Sequence, residues 1–262
     1  MSYSLVLLCH QSERELVEAE LYELGTNGIT ERDLPGEVCE LEAFFAERFD
    51  EQPGFATYSP QWREHADGAG ADWVDTFEPF AVGEKLYLAP VWRDDPTPPG
   101  RLRLAVHARQ ASGSGYQPAT QLALAALERH LQEGDRFFDV GTGSGILSAA
   151  AELLGSGARF ACDMDLDALA EARENGAPAH LFAGSPRSMG PGTVDVVAAN
   201  LNAEALLSLH VELLRVLRPG GRLILSGFVE RSVDRLARAF EAAELVDRLE
   251  SGEWRALVFF KR

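Results

Sequence analysis

The chain is short of positive charge. Its 262 residues include only two lysines, Lys85 and Lys261, and the formal net charge is -17. A protein that binds nucleic acid neutralises phosphates with Lys and Arg, so this balance speaks against a nucleic-acid substrate. An acidic surface suits a basic protein partner through electrostatic steering, or serves solubility alone. Long apolar runs are also missing: no stretch approaches the roughly 20 residues that span a bilayer, so no membrane partner is expected. Leu5-Val6-Leu7-Leu8-Cys9 has no basic leader and reads as a strand, not a signal core. The three cysteines, Cys9, Cys39 and Cys162, are isolated and lack metal-ligand spacing. They argue against a disulfide framework and a metal site, and for a reducing cytoplasm. What remains is an ordinary globular composition, 46% hydrophobic and 25% charged, long enough for two modest domains or one large one.

Glycine, by contrast, is concentrated where it matters. Asp139-Val140-Gly141-Thr142-Gly143-Ser144-Gly145 follows the apolar run Arg136-Phe137-Phe138 and precedes the helical run Ile146 to Leu154. A strand, a glycine turn and a helix start place a polar cofactor group against exposed backbone N–H groups. The alternating glycines let the backbone approach a ligand closely. A dinucleotide fingerprint wants glycine at the first, third and sixth positions, and the sixth from Gly141 is Ile146. The spacing therefore fits NAD poorly and fits the S-adenosylmethionine loop of class I methyltransferases. Ala158 to Cys162 reads as the next strand, with Asp163 at its carboxyl end, roughly 20 residues past the loop, where a carboxylate accepts from ribose hydroxyls. Asp165 and Asp167 are also near and suit a helix cap.

The first hundred residues read separately from the rest. Tyr3 to Cys9 is a strand, and Ser12-Glu13-Arg14-Glu15 a capping box for a helix closed by Gly25. Ile29 to Asp33 and Val38 to Phe45 flank Pro35-Gly36 as a hairpin. This order suggests a small α+β ferredoxin-like sandwich. Residues 50 to 72 read as a loop, Trp73 to Phe77 and Lys85 to Trp92 as short ordered pieces, Asp94 to Gly100 as a linker, and Arg101 to Ala108 as a strand. From Pro118, helices alternate with strands at 136–140, 158–163, 179–183, 194–199 and 221–226, then a helix spans Glu230 to Ala243. The strands 245–249 and 255–260 close the chain as an antiparallel pair. The predicted fold is α/β: a seven-stranded Rossmann-like sheet with a smaller α+β domain before it. The expected divisions are 1–92, 93–117 as linker and cofactor-covering loop, and 118–262.

Val194 to Ala199 delivers Asn200-Leu201-Asn202 to the carboxyl edge of the sheet. An amine that attacks a methyl sulfonium must be neutral, whereas a lysine has a pKa of about 10.4. The Asn200 side-chain oxygen and the Leu201 carbonyl suit the task of aiming such an amine once it is desolvated. Alternatively, Asn200 ends a strand and caps the next helix. Gly184-Ser185 follows the third strand where an adenine contact would lie, or is ordinary turn chemistry. Ser112 to Thr120 is a second glycine-rich segment, able to lie over a cofactor or to act as a plain linker. Arg218-Pro219-Gly220-Gly221 reads as a structural turn.

Together these residues resemble the ribosomal protein L11 methyltransferase family of class I enzymes, most strongly over about residues 112 to 262. Asp139 to Gly145, Cys162-Asp163-Met164-Asp165, Ala199-Asn200-Leu201, Arg218 to Gly221 with Ser226-Gly227, and Gly252-Glu253-Trp254 fall in family order. So do Asp72-Trp73, Val82-Gly83 and Pro90-Val91-Trp92. The resemblance implies methyl transfer from S-adenosylmethionine to amines of a basic ribosomal protein, at its amino terminus and at lysines, by a cytoplasmic monomer. It implies Asp139, Gly141, Thr142, Gly143, Gly145, Asp163, Met164, Ser185, Asn200 and Thr120 as the cofactor set, with Asn200 and Leu201 at the acceptor amine. The family loop reads approximately Pro-Gly-x-Ala-Phe-Gly-Thr-Gly-x-His-Pro-Thr-Thr. Here its aromatic, histidine and one threonine positions are Ser112, Gln117 and Ala119, and the segment after Trp73 is short. The alternatives are a diverged methyltransferase with another protein or small-molecule target, and a catalytically silent S-adenosylmethionine-binding module.

Overall fold

The computed structural model describes residues 2–26, 28–45, 47–49, 55–65, 78–107 and 115–262. The piece expected at 73–77 and the loop residues Ser112 to Ser114 lie outside them. The chain forms two compact units, 1–77 with 110–112, and 78–109 with 113–262.

In the first unit, β1 (Ser2–His10) is followed by α1 (Arg14–Glu23), β2 (Gly28–Leu34), β3 (Val38–Phe45) and β4 (Gln61–His65), and the sheet order is β2-β3-β1-β4. Leu5, Leu7 and Cys9 alternate along β1 and pack with Leu41 and Ala43 against Val17 and Leu21 of α1. The strand, helix and hairpin are those of the expected plan. Between β3 and β4 the described residues hold only a 3-10 turn, Phe55–Tyr58.

Three local expectations change. Ser12 caps no helix: its N–H donates to His10 Nδ1, its Oγ is 2.7 Å from that nitrogen, and α1 starts after a 3-10 turn. Residues 61–65, read as loop, form a strand because the edge of β1 supplies a ladder and Trp62 packs on Phe45 and Phe49. Cys9 and Cys39, remote in sequence, are opposite each other across β1 and β3, both as free thiols. Burial pushes the Cys9 thiol up to about 11.

The second unit begins before residue 93. β5 (Phe80–Val82), β6 (Leu86–Pro90) and β7 (Leu102–Val106) form a sheet within it, so Asp94 to Gly100 joins two paired strands and links no domains. α2 (Pro118–His130) is tied to that sheet, since Glu128 accepts the N–H groups of Glu84 at 2.8 Å and Lys85 at 3.0 Å. Gly83 leaves room for this carboxylate, because a Cβ there would stand 2.5 Å from its oxygen.

The rest alternates as predicted: β8 (Phe137–Val140), α3 (Ile146–Leu153), β9 (Arg159–Asp163), α4 (Leu166–Glu174), β10 (His180–Ala183), β11 (Val194–Asn200), α5 (Ala203–Val216), β12 (Leu217–Val229), α6 (Val233–Ala239), β13 (Glu244–Ser251) and β14 (Trp254–Phe260). The sheet order is β10-β9-β8-β11-β12-β14-β13, with β14 antiparallel to both neighbours. Its central strands are buried on both faces, as parallel strands covered by helices must be. Arg218 to Gly221 belongs to β12 and is no turn, because the chain end pairs with it through Gly220 N–H to Lys261 O and Lys261 N–H to Gly221 O. The helix expected at 230–243 is shorter because Glu230 turns its carboxylate to Arg248 and Arg255 of the closing hairpin. Order reverses between β8 and β11, which puts a crevice at their carboxyl ends.

Candidate functional site at the carboxyl edge

Asp139 sits near the end of β8, fully buried. Its Oδ2 accepts from Thr142 Oγ1 at 2.8 Å and Ser148 Oγ at 2.9 Å. Its Oδ1 is buried and has no hydrogen-bond partner among the described residues. Burial pushes this carboxyl up to about 6, against the pull of the two hydroxyls.

The loop after it departs from the sequence expectation in one decisive respect. Gly141, Gly143 and Gly145 all have positive φ, as glycine permits, but four of the loop's N–H groups are taken within the protein. Gly141 and Thr142 donate to Cys162 O at 2.9 and 3.1 Å, and Gly145 donates to Thr142 O. Gly143 donates to Asp163 Oδ2 at 3.1 Å. A phosphate site needs free donors, and these four are spent. Gly143 has nothing within 4 Å of where its Cβ would be, so a ligand has room there.

Asp163 is half-buried at the end of β9, and its Oδ1 accepts from Asp165 N–H at 3.0 Å. A carboxylate has about four acceptor positions, so two remain. Asp165 is the cap of α4, accepting from Asp167 N–H at 2.9 Å, which leaves Asp163 as the carboxylate at the strand end. Met164 is 81% exposed beside Leu166, an uncovered apolar pair that water alone does not favour. Ser185 is half-buried and makes no side-chain cap bond, and Gly184 N–H donates to Asp163 O.

Across the crevice, Asn200 is not the helix cap. Asn202 takes that role, accepting from Ala205 N–H at 2.9 Å. Asn200 Nδ2 donates instead to Thr120 Oγ1 at 3.1 Å, which turns Oδ1 the other way. Leu201 closes the floor: a Cβ on Gly141 would lie 2.4 Å from Leu201 Cδ2, and one on Gly227 would lie 2.5 Å from Leu201 O. Glycine at 227 thus lets the two backbones approach this closely.

Ser148, Asn175 and Ser226 were missed by sequence reasoning. Asn175 Nδ2 donates to Ser144 O at 3.0 Å, holding the loop from α4. Ser226 had a signal in the Ser226-Gly227 pair, whereas Ser148 and Asn175 had none. A cavity of about 20 Å³ lined by Val106, Ser144, Ile146 and Asn175 lies against the loop, with room for one water and no cofactor.

The polar atoms gathered at this edge are mostly acceptors: the two open positions of Asp163, the Asn200 Oδ1 end away from Thr120 and, beneath them, the buried Asp139 Oδ1. Such a set fits a cofactor with ribose hydroxyls and positive charge, and fits a pyrophosphate badly.

Residues 57–262 match the family described as ribosomal protein L11 methyltransferase (PrmA). The chain belongs to that family. It is 37% identical over 191 residues to the ribosomal protein L11 methyltransferase of Ralstonia nicotianae, covering 71% of this chain and 62% of that one. The Citrifermentans bemidjiense protein of the same name is 35% identical over 234 residues, covering 84% and 76%. The crystal structure of the ribosomal protein L11 methylase from Lactobacillus delbrueckii subsp. bulgaricus superposes with a TM-score of 0.64 at 27% identity, covering 71% of this chain and 98% of that one. The chain spans 57% to 64% of the length of several curated relatives it matches. Among the described residues, no helix is long and apolar enough to cross a membrane, and no cluster of His, Cys, Asp and Glu could hold a metal.

Proposed function

We propose that the protein transfers methyl groups from S-adenosylmethionine to amines of ribosomal protein L11, at lysines or the amino terminus. The observation that supports this reading is the donor–acceptor balance at the carboxyl edge: the N–H groups of Gly141, Thr142, Gly143 and Gly145 are spent internally, and Asp163 keeps two open acceptor positions at the end of its strand. A nicotinamide dinucleotide would need the opposite. In this reading Asp163 takes the ribose hydroxyls, Met164 and Ser185 flank the adenine, Thr120 helps to close the pocket, and Asp139, Thr142 and the glycines hold the amino-acid end.

S-adenosylmethionine supplies an electrophilic methyl on a sulfonium. The chain's own residues supply placement. Asn200 Oδ1 and Leu201 O accept from the N–H groups of the incoming amine and fix the direction of its lone pair. Removal of water from the amine lowers its pKa and favours the neutral form. The proton is released to solvent. The net charge of -17 favours the approach of a basic protein substrate. A cytoplasmic site of action follows from a ribosomal target.

The test is intact-mass spectrometry of unmethylated ribosomal protein L11 incubated with the protein and S-adenosylmethionine. Successive additions of one methylene mass are expected. An unchanged mass, with cofactor binding demonstrated in the same mixture, would overturn the assignment and leave a diverged target or a silent cofactor-binding module.

A further inference from the structure

Asn200, the last residue of β11, pairs in register with Ser226 within β12. Their side chains reach two consecutive residues in the first turn of α2. Ser226 Oγ donates to Ala119 O at 2.6 Å, and Asn200 Nδ2 donates to Thr120 Oγ1 at 3.1 Å. Thr120 and Ser226 are both fully buried. Leu201 N–H donates to Ser226 O at 3.0 Å, so the same serine residue also holds the next residue of the site.

We propose that the first turn of α2 is an orienting device for Asn200, with Thr120 and Ser226 as positioning residues. The two ends of a carboxamide are nearly equal in shape, and only their partners distinguish them. Thr120 Oγ1, a hydroxyl able to donate or accept, takes the NH2 end, which fixes the plane of the carboxamide and leaves its oxygen at the end away from Thr120. Ser226 fixes where Thr120 stands by anchoring the carbonyl just before it. The anchor of this turn is made to the Ala119 backbone and so does not depend on that side chain. The kinetic consequence rests on the methyl-transfer reading; the orientation does not.

The chain has four asparagines, Asn27, Asn175, Asn200 and Asn202. Selective 15N-asparagine labelling of the full chain therefore gives four side-chain amide pairs, with Asn200→Ala assigning the one of interest. In the free protein, Thr120→Val, nearly equal in volume, should shift and broaden the Asn200 pair, and Thr120→Ser should restore it. Ser226→Ala, which keeps the Thr120 hydroxyl, should move the same pair and provides a second route if Thr120→Val does not fold. With cofactor saturating, Thr120→Val should slow methyl transfer about tenfold, the scale of one lost hydrogen bond, with recovery in Thr120→Ser. Unmoved Asn200 resonances in both variants, or an undiminished rate at saturating cofactor in Thr120→Val, would overturn the proposal. If the wild type transfers no methyl to the ribosomal protein, the functional reading fails, and the amide resonances alone decide the orientation.

Discussion

Two aspartates on adjacent strands of one sheet have opposite fates. Asp195, at the amino end of β11, is gripped by Arg136 through its N–H and Nε, both at 2.8 Å, and by Arg218 Nε. Burial works against its charge, but those hydrogen bonds win and hold its carboxyl at about 2. Asp139, at the carboxyl end of β8, has two hydroxyls and no cation, and burial pushes it up to about 6. One edge of the sheet satisfies its charge completely and holds the fold. The other leaves one buried carboxylate oxygen without a partner among the described residues, which a stability argument alone would not favour.

That contrast can be broken in four ways. The largest effect belongs to Asn200→Ala, which should reduce methyl transfer about 100-fold, the scale of a misaligned attack. Calorimetric titration should find S-adenosylmethionine affinity nearly unchanged, and an equal loss of both would make Asn200 structural. Asp195→Ala should cost about 2 kcal/mol in urea unfolding, since bonds to charged donors are lost while the arginines regain water. Asp163→Ala should weaken cofactor binding by roughly tenfold before it affects anything else. An unaltered affinity would remove the ribose assignment.

The smallest effect is in pH. The stability contributed by ionised Asp195 is present above the ordinary carboxyl value of 3.8 and is lost as pH falls toward about 2. Asp139 has the reverse sign: its protonated form suits the fold, so its contribution is present below 3.8 and is lost as pH rises through about 6. Urea midpoints measured against pH should flatten between these values in Asp139→Asn only. Cofactor affinity in the wild type should fall below about pH 6, where Asp139 takes up its proton.

Local pattern made much of the architecture legible. The glycine spacing, the apolar strand runs and the short final hairpin each lie within a few residues, and together they specify the seven-stranded sheet. Strand β4 was not legible, because Gln61–His65 has a single large apolar residue, Trp62, and draws its support from β1 far away in sequence. The loop's glycines were visible, but the fate of its N–H groups was not, since their acceptors are Cys162 O and Asp163 on the neighbouring strand. Asn200 was visible as a strand-end amide, whereas its orientation depends on Thr120, 80 residues earlier. The sequence marks Asp139 and Asp195 with the same letter. Only the arginines around one of them distinguish their roles.

The most direct test sets the two edges side by side: single-turnover methyl transfer to ribosomal protein L11 by Asn200→Ala and Asp195→Ala, each folded and saturated with S-adenosylmethionine. The account predicts a rate near wild type for Asp195→Ala and a rate about 100-fold lower for Asn200→Ala. Equal rates for the two variants would contradict it.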